Sequence, residues 1–343
     1  MISKIILFPY YSVLKVRHFM YDHNFIKKSV RSEIPTISVG NITVGGTGKT
    51  PHVEMIIRLL REQLESSEIA VLSRGYKRKK RGYKYLDEYS SAVNYGDEPV
   101  QIKKKFPGIS VAVDKNRVRG CRNFANLATP PKVVILDDAF QYRALKPDLN
   151  IVLVDCNRPI YDDELIPFGS LRDLPERISK ADIVVVTKCS EYIEEPEMQE
   201  WAERLKVERG RLFFTRIKYC EPTGIYPECD KRYIYSKRII LVTGISKDTP
   251  LRNYLSDNYQ IVEHFRFSDH HKFRRADIRQ IKAASKKWPT AAIVTTEKDA
   301  QRLMDYKKFP SSLKDRIFQV PIETAFIPEN RVEDFHRDLE SIL

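Results

Sequence analysis

The chain has 343 residues, 42% of them hydrophobic, and its 59 lysine and arginine residues outnumber 46 aspartate and glutamate residues to give a formal net charge of +13. A chain of this length can bury a sizeable core and favours two domains over one compact body, and its positive charge favours anionic partners such as nucleotides, anionic lipids or nucleic acids. The five scattered cysteines include no Cys-x-x-Cys pair, which excludes the usual spacing of a zinc or redox site and favours a reducing, cytosolic setting.

The first element is an apolar stretch at residues 5–16, which Pro9 interrupts and Lys4, Lys15 and Arg17 flank or enter. It is too short and too charged to span a bilayer. No small-residue cleavage site follows it, so we expect it to remain on the mature protein. Aromatic and aliphatic residues beside basic ones suit a helix lying in a membrane interface, and we assign residues 1–30 to such a region. A helix packed on its own domain fits the composition equally well.

Continuous apolar, β-branched runs follow along the chain, at residues 36–39, 70–72, 133–136, 151–154 and 183–186. Such runs are typical of strands buried on both faces, and they predict a parallel α/β sheet. Pro222, Gly224 and Pro227 then punctuate a tyrosine-rich stretch, after which a second alternation of strand and helix patterns begins. We therefore predict a core domain over residues 31–216, an extended linker over 217–236 and a smaller α/β domain over 237–343.

A glycine-rich segment follows the first apolar run and precedes a helix. Strand, glycine turn and helix in this order are the context of a Walker A loop, so we predict a P-loop NTPase-type core. Backbone N–H groups would surround the phosphates, Lys49 would reach the β and γ oxygens, and the Thr50 hydroxyl would meet Mg²⁺. The usual first glycine is replaced by a threonine. The expected nucleotide-binding residues are Thr43, Val44, Gly45, Gly46, Thr47, Gly48, Lys49 and Thr50.

Two carboxylates end a later apolar strand. Asp137 and Asp138 follow residues 133–136, the arrangement of a Walker B strand whose aspartate holds Mg²⁺ directly or through water. A guanine-reading motif would place an aspartate after Thr-Lys-x on a late strand, but this chain has Ser190 there. ATP with Mg²⁺ is therefore the expected cofactor.

These motifs, taken together, resemble the tetraacyldisaccharide 4′-kinase family, the lipid A kinases of Gram-negative bacteria. The resemblance spans most of the chain and includes the threonine at position 43. Its marks are VGNITVGGTGKTP at 39–51, SRGY at 73–76, YGDEP at 95–99, DDAFQYR at 137–143, residues 167–171, SDH at 268–270 and TEKD at 296–299. The family usually reads Asp-Asp-Gly-Phe-Gln-His and Pro-Ala-Gly-Pro-Leu-Arg, so Ala139 and Tyr142 depart from it and the role of Arg172 stays open.

The resemblance implies transfer of the ATP γ-phosphate to the 4′-hydroxyl of a tetraacylated glucosamine disaccharide 1-phosphate. The setting would be the cytoplasmic face of the bacterial inner membrane, on an anionic surface. Beside Lys49, it implies Asp97 as the catalytic base and His270 as its partner, with Glu98 a weaker candidate for orienting metal or base. Candidates for binding the substrate, which could equally be surface or capping residues, are Arg74, Tyr76, Arg117, Arg119 and Gln141.

Two other classes of function remain as alternatives. One is a P-loop switch or metallochaperone, which would hydrolyse nucleotide to change partners and would need no lipid-facing N-terminus. The other is a nucleic-acid binder, but the basic run at residues 77–81 lacks interleaved aromatic residues, so we expect no nucleic acid. The sequence identifies no protein partner.

Overall fold

The computed structural model describes residues 2–23, 25–26, 29–269, 271–306 and 308–343. The strands in these ranges are β1 (Thr36–Gly40), β2 (Ile69–Ser73), β3 (Lys84–Tyr85), β4 (Ser110–Val113), β5 (Val133–Asp137), β6 (Leu149–Asp155), β7 (Ile183–Thr187), β8 (Leu212–Tyr219), β9 (Thr223–Gly224), β10 (Arg238–Thr243), β11 (Gln260–Arg266), β12 (Ala292–Thr296), β13 (Ile317–Val320) and β14 (Ile322–Ile327). The helices are α1 (Ile2–Asp22), α2 (Lys49–Leu60), α3 (Ala92–Tyr95), α4 (Asp97–Lys105), α5 (Arg117–Ala125), α6 (Glu195–Leu205), α7 (Arg232–Tyr235), α8 (Thr249–Asn258), α9 (Arg275–Lys287), α10 (Glu297–Met304), α11 (Ser311–Lys314) and α12 (Arg331–Glu340).

The larger sheet has the strand order β14-β8-β7-β6-β1-β5-β2-β4-β3. The strands from β8 to β4 run parallel, and the edge strands β14 and β3 run antiparallel to their neighbours. Every residue of β1, β2, β5 and β7 is buried, as continuous apolar runs predict for strands covered on both faces. The predicted parallel α/β sheet is confirmed.

The strand register brings the two predicted motifs to one edge of the sheet. Strands β1 and β5 are parallel neighbours, and Val39 at the end of β1 pairs with Asp137 at the end of β5. The loop after β1 and the carboxylates after β5 therefore leave the sheet side by side. Ligands of open α/β sheets bind at this carboxyl edge.

Helix α1 packs one side of its surface on the larger sheet's core. It buries Leu7 and Leu14 in the apolar cluster beneath β6 and β7, so the predicted packing on its own domain does occur. Its outward side is also apolar, with Ile6, Phe8, Val13, Val16 and Phe19 each more than half exposed. In the part of the chain that the structure describes, no helix is long and apolar enough to cross a bilayer.

The smaller sheet has the strand order β11-β10-β12-β13-β9, and β11, β10, β12 and β13 run parallel. Strands and helices alternate from β10 to α10, as the second alternation of patterns after the tyrosine-rich stretch predicts. Strand β9, from the predicted linker, pairs antiparallel with β13. We call each sheet with the helices packed on it a half of the molecule, the larger half and the smaller half. Helix α10 of the smaller half packs against α4 of the larger half, so the two halves meet beside the carboxyl edge of the larger sheet.

The chain returns to the larger sheet after β13. Strand β14 pairs antiparallel with β8 along six residue pairs, and α12 buries Phe335 and Leu339 in the core that α2 covers. Residues 322–340, which fall in the expected range 237–343 of the smaller domain, thus pack on the larger half. The division of the chain into domains stays a prediction.

Candidate active site

The loop between β1 and α2 has the conformation of a phosphate cradle. Gly45 and Gly48 take positive φ angles of 104° and 85°, a region that glycine enters without steric cost. A Cβ at Gly45 would also lie 3.3 Å from the Arg158 guanidinium. Gly45 and Gly46 are exposed, whereas Thr47 and Thr50 are buried. The loop therefore presents bare backbone to solvent at the start of α2, where N–H groups and the helix dipole favour an anion.

Thr43 replaces the usual first glycine, and its contacts hold the start of the phosphate loop in place. Its hydroxyl accepts a hydrogen bond from the Asn41 amide at 3.2 Å, and Thr43 forms a β-bridge with Leu171. The next amide, of Val44, donates to the carbonyl of Ser170 at 2.7 Å. The threonine is thus fixed against the segment at residues 165–172, and the flexible glycines lie only further along the loop.

Asp138 lies between two cations. The Lys49 ammonium is 3.7 Å from its carboxylate, and the Arg172 guanidinium donates to both of its oxygens. Arg172 also donates to the Asn41 side chain at 2.6 Å, and Lys49 donates to the same amide oxygen at 3.3 Å. Arg172, whose role the sequence left open, therefore joins the start of the phosphate loop to the acidic pair.

Asp137 has a different environment from its neighbour. It is buried, and the Ser73 hydroxyl donates to its Oδ2 at 2.9 Å. Its Oδ1 is buried without a hydrogen-bond partner among the described residues. Burial first, and then the nearby Glu98 and Asp138 carboxylates, raise the pKa of Asp137. For Asp138 burial acts in the same direction, but Lys49 and Arg172 outweigh it and hold its pKa below the ordinary value.

These groups fit a divalent cation bound together with phosphate. The orphaned Oδ1 of Asp137, the Asp138 carboxylate and the Thr50 hydroxyl are hard oxygen ligands of the kind that Mg²⁺ takes. Within the described residues no group of three or more His, Cys, Asp or Glu side chains is placed to hold a metal by itself. Mg²⁺ at nucleotide sites is usually held by one or two carboxylates together with phosphate oxygens, and this donor set matches that pattern.

Asp97 begins helix α4 and forms an ion pair with Arg302 of the smaller half of the molecule. The Arg302 guanidinium donates to its Oδ2 from Nε at 3.1 Å and from a terminal nitrogen at 2.9 Å. Arg302 is mostly buried, and its other terminal nitrogen donates to Asp299 at 2.7 Å and to the Gly244 carbonyl at 3.0 Å. His270, the partner that the resemblance implies for Asp97, lies outside the described residues, so that pairing stays a prediction.

Glu98 also faces the smaller half. Its carboxylate pairs with Lys298 at 3.2 Å, and its charge contributes to the raised pKa of Asp137. Glu98 therefore lies between the acidic pair and the Thr-Glu-Lys-Asp segment that begins α10. This placement is compatible with orienting a metal or a base, as the sequence suggested.

The candidate substrate-binding residues divide into two groups. Arg117 differs from the expected phosphate clamp: its side chain is buried and donates to the carbonyls of Asp114 and Asp137 at 2.6 and 3.0 Å. Gln141 likewise donates its amide to the backbone of the loop after β1. The remaining three are on the surface: Arg119 pairs with Asp114 at 2.8 Å, and Arg74 and Tyr76 are exposed.

Lys188 completes the cradle and was missed as a site residue. It follows β7, and its ammonium donates to the carbonyl of Gly46 and pairs with Asp155 at 2.5 Å. The preceding Thr187 hydroxyl donates to the carbonyl of Thr47 at 3.0 Å. The Thr-Lys dipeptide was a usable signal, because a strand end beside β6 must approach the loop that follows β1.

A P-loop followed by α2, a lysine and a threonine at its end, and an acidic pair on the adjacent strand define a P-loop protein that binds a nucleoside triphosphate with Mg²⁺. A family model described as "Tetraacyldisaccharide-1-P 4'-kinase" matches residues 4–341. The chain belongs to this family, and it is an ATP-dependent kinase.

Curated relatives extend over most of the chain. The tetraacyldisaccharide 4′-kinase of Phocaeicola vulgatus is 40% identical over 325 residues, covering 92% of this chain and 88% of its own. The protein of the same name from Flavobacterium johnsoniae is 39% identical over 330 residues, covering 94% and 92%. The crystal structure of LpxK from Aquifex aeolicus in complex with ATP matches with a TM-score of 0.74 at 28% identity, over 98% of this chain and 99% of that one. Its fold confirms the predicted fold class.

Proposed function

We propose that the chain transfers the γ-phosphate of ATP to the 4′-hydroxyl of a tetraacylated glucosamine disaccharide 1-phosphate, forming the 4′-phosphorylated lipid. The observation that carries this proposal is the joint placement of Lys49, Asp138 and Asp97 at the carboxyl edge of one sheet, in a chain of this kinase family. The relatives named for this activity match along nearly the whole chain, so the acceptor site is expected to lie within it.

The phosphate loop and its cations would hold the nucleotide and neutralise developing charge. Free backbone N–H groups of the loop at residues 45–50 would donate to the β- and γ-phosphates, and Lys49 could move from Asn41 and Asp138 to the γ-oxygens. Thr50, Asp137 and Asp138 would hold Mg²⁺, which when bound neutralises charge on the β- and γ-phosphate oxygens. Lys49 and Arg172 hold the pKa of Asp138 low, so that it stays ionised beside the loop.

Asp97 would accept the proton of the attacking sugar hydroxyl. General-base catalysis requires a carboxylate that is ionised and held in place, and the two donors from Arg302 favour both conditions at Oδ2. His270 would pair with Asp97 from the segment before α9, and Glu98 would orient the metal or the base. Arg302 and Lys298 both belong to α10, so seating of the smaller half would assemble the catalytic group and exclude water.

The location that we propose is the cytoplasmic face of the bacterial inner membrane, with α1 lying in the interface. The exposed apolar side of α1 and the net positive charge of the chain support contact with an anionic lipid surface. An acylated substrate would then reach the site without leaving the bilayer. Arg74, Tyr76 and Arg119 remain the exposed candidates for contacting its sugar or phosphate.

The proposal is tested by incubating the protein with ATP labelled in its γ-phosphate, Mg²⁺ and detergent-dispersed lipid disaccharide 1-phosphate, and separating lipid from aqueous products. We expect labelled lipid from the wild type and none from a folded Lys49→Ala variant. Label that appears only in inorganic phosphate would contradict the proposal and favour the nucleotide-switch alternative.

A further inference from the structure

A cavity of ≈460 Å³ lies beside the end of α1, outside the nucleotide cradle. Its walls include the last turn of α1, with Tyr21 and Asp22, the segment after the acidic pair, with Phe140 and Arg143, and the turn at residues 175–180. None of residues 43–50 is among its described lining. The volume falls within the range of sites for small ligands or lipid headgroups.

The charges of this cavity are unbalanced. The lining residues that the structure describes include four cations, Arg143, Lys146, Arg177 and Lys180, against a single carboxylate, Asp22. Arg143 is committed to Asp22 and also donates to the His18 ring at 3.1 Å. One ion pair therefore leaves the other three cations without a carboxylate partner in the cavity wall.

Arg177 is the cation whose surroundings most favour an anionic partner. Among the described residues its side chain makes no hydrogen bond or ion pair, and its Nε is buried without a partner. Its guanidinium lies over the Phe140 ring, 5.7 Å from the centroid. Arg143 and Arg17 repel its charge and the Asp173 and Asp22 carboxylates attract it, but Asp173 is paired with His18 and Asp22 with Arg143. A guanidinium costs free energy when it is desolvated beside another cation without an acceptor, and a bound anion would remove that cost.

The cavity wall includes the end of α1, the helix whose exposed side we assign to the membrane. Val16 and Phe19, both more than half exposed, precede the α1 residues of the cavity wall, and Phe25, 70% exposed, follows them. Acyl chains lying along α1 would bring the phosphate of the same lipid to this depth. A nucleotide in solution carries no acyl chains that these exposed apolar side chains could contact, so they favour a lipid as the ligand.

We propose that this cavity is a binding site for the phosphate group of a lipid, held by Arg177 together with Arg143 and bordered by Lys146 and Lys180. Arginine presents paired N–H donors that match phosphate oxygens. The phosphate belongs either to the lipid disaccharide itself, in which case the proposal rests on the proposed function, or to a phospholipid of the bilayer. In both cases the site positions a lipid beside the Asp137 and Asp138 strand.

Two assays on the full chain distinguish these sources. The first measures KM in neutral detergent for the disaccharide 1-phosphate and for an analogue with a free hydroxyl at that position. The second measures sedimentation with phosphatidylcholine vesicles, with and without phosphatidylglycerol. The variants are Arg177→Gln and the exposed rim change Lys180→Gln, and the matched control is Arg279→Gln, which removes an exposed positive charge from α9 in the smaller half.

We expect Arg177→Gln to weaken either the binding of the disaccharide 1-phosphate or the binding of anionic vesicles by about tenfold or more, the loss typical of a charge-assisted hydrogen bond. Lys180→Gln should weaken the same binding by a smaller factor. A rise in KM confined to the 1-phosphate substrate assigns the site to the substrate, and loss confined to anionic vesicles assigns it to a phospholipid. If Arg177→Gln keeps the wild-type melting temperature and matches Arg279→Gln in both assays, the site is refuted. If Arg177→Gln does not fold, an unchanged Lys146→Gln, Lys180→Gln double variant refutes it.

Failure of this proposal is separable from failure of the proposed function. A wild-type protein that labels no lipid contradicts the function, yet its vesicle binding still tests the cavity. If the wild-type protein labels the lipid but Arg177→Gln behaves like Arg279→Gln in both assays, only the proposed phosphate site in the cavity is contradicted.

Discussion

His52 ties the first turn of α2 to the sheet and should make the stability of the protein fall at mildly acidic pH. Its ring is buried; Nδ1 donates to the Gly48 carbonyl at 2.7 Å, and Nε2 accepts from the Thr215 hydroxyl at 3.0 Å. Protonation would put a positive charge in this buried site and turn Nε2 from an acceptor into a donor, so the Thr215 hydroxyl would have to rotate to accept from it and donate to the Val186 carbonyl at 3.5 Å. Burial, with a smaller effect from Lys188, lowers the pKa of His52 from 6.5 to about 4.

The size and sign of the effect follow from this pKa. Above pH 6.5 the ring is neutral in the folded and unfolded chain, so the full stability is present. As the pH falls from 6.5 toward 4, the unfolded chain takes up a proton that the folded chain refuses. At about 1.4 kcal/mol for each pH unit, the difference between 6.5 and about 4 amounts to about 3 kcal/mol of unfolding free energy.

The assay is urea unfolding between pH 4 and 8 of the wild type, His52→Asn and the exposed-histidine control His23→Asn. The asparagine amide of the first variant can still donate to Gly48 but cannot titrate, so the wild-type curve should fall relative to it by about 3 kcal/mol between pH 6.5 and 4. His23→Asn should follow the wild type. Parallel wild-type and His52→Asn curves would show that His52 does not take up this proton on unfolding.

Four further outcomes are expected. Lys49→Ala should lower kcat by at least about 10²-fold with an unchanged melting temperature, since its ammonium acts on transition-state charge; near-normal turnover would exclude the phosphate-loop assignment. Asp97→Ala should lower kcat by about 10²- to 10⁴-fold, whereas Arg302→Lys should shift the pH profile of kcat and cost less; a profile like that of the wild type would show that Arg302 does not act through Asp97. Because burial raises the Asp137 pKa, the wild-type protein should release a proton when it binds Mg²⁺ with ATP, and calorimetry in different buffers should detect this release. Asp137→Asn should abolish both the Mg²⁺-dependent activity and this proton release; equal proton release by the two proteins would contradict this. Deleting residues 1–16 should weaken sedimentation with anionic vesicles but spare activity on detergent-dispersed substrate, and unchanged sedimentation would remove the interfacial role of α1.

The larger sheet and its nucleotide cradle could be predicted because their signals are local. Apolar runs identify buried strands, and the glycine loop with Lys49 and Thr50 occupies consecutive positions. The acidic pair of Asp137 and Asp138 directly ends its strand. Parallel strands with short neighbouring loops then bring these groups to the same edge, so little long-range information is needed.

The interactions that the sequence left unpredicted are those between distant segments. Arg302 reaches Asp97 across 205 positions of the chain, and no local pattern distinguishes this arginine from a surface one. The return of β14 and α12 to the larger sheet depends in the same way on pairing with β8. Arg117 was expected near substrate because it begins a helix beside the motifs, but the direction of its side chain, toward backbone carbonyls, is decided by packing.

The position of the transferred phosphate on the lipid product decides whether the chain is a 4′-kinase. The wild-type protein would be incubated with ATP, Mg²⁺ and the disaccharide 1-phosphate, and the purified lipid examined by phosphorus NMR and mass spectrometry. The lipid product should carry a second phosphate monoester on the 4′-oxygen of the distal glucosamine. A lipid recovered unchanged while ATP is consumed, or a phosphate at another position, would contradict it.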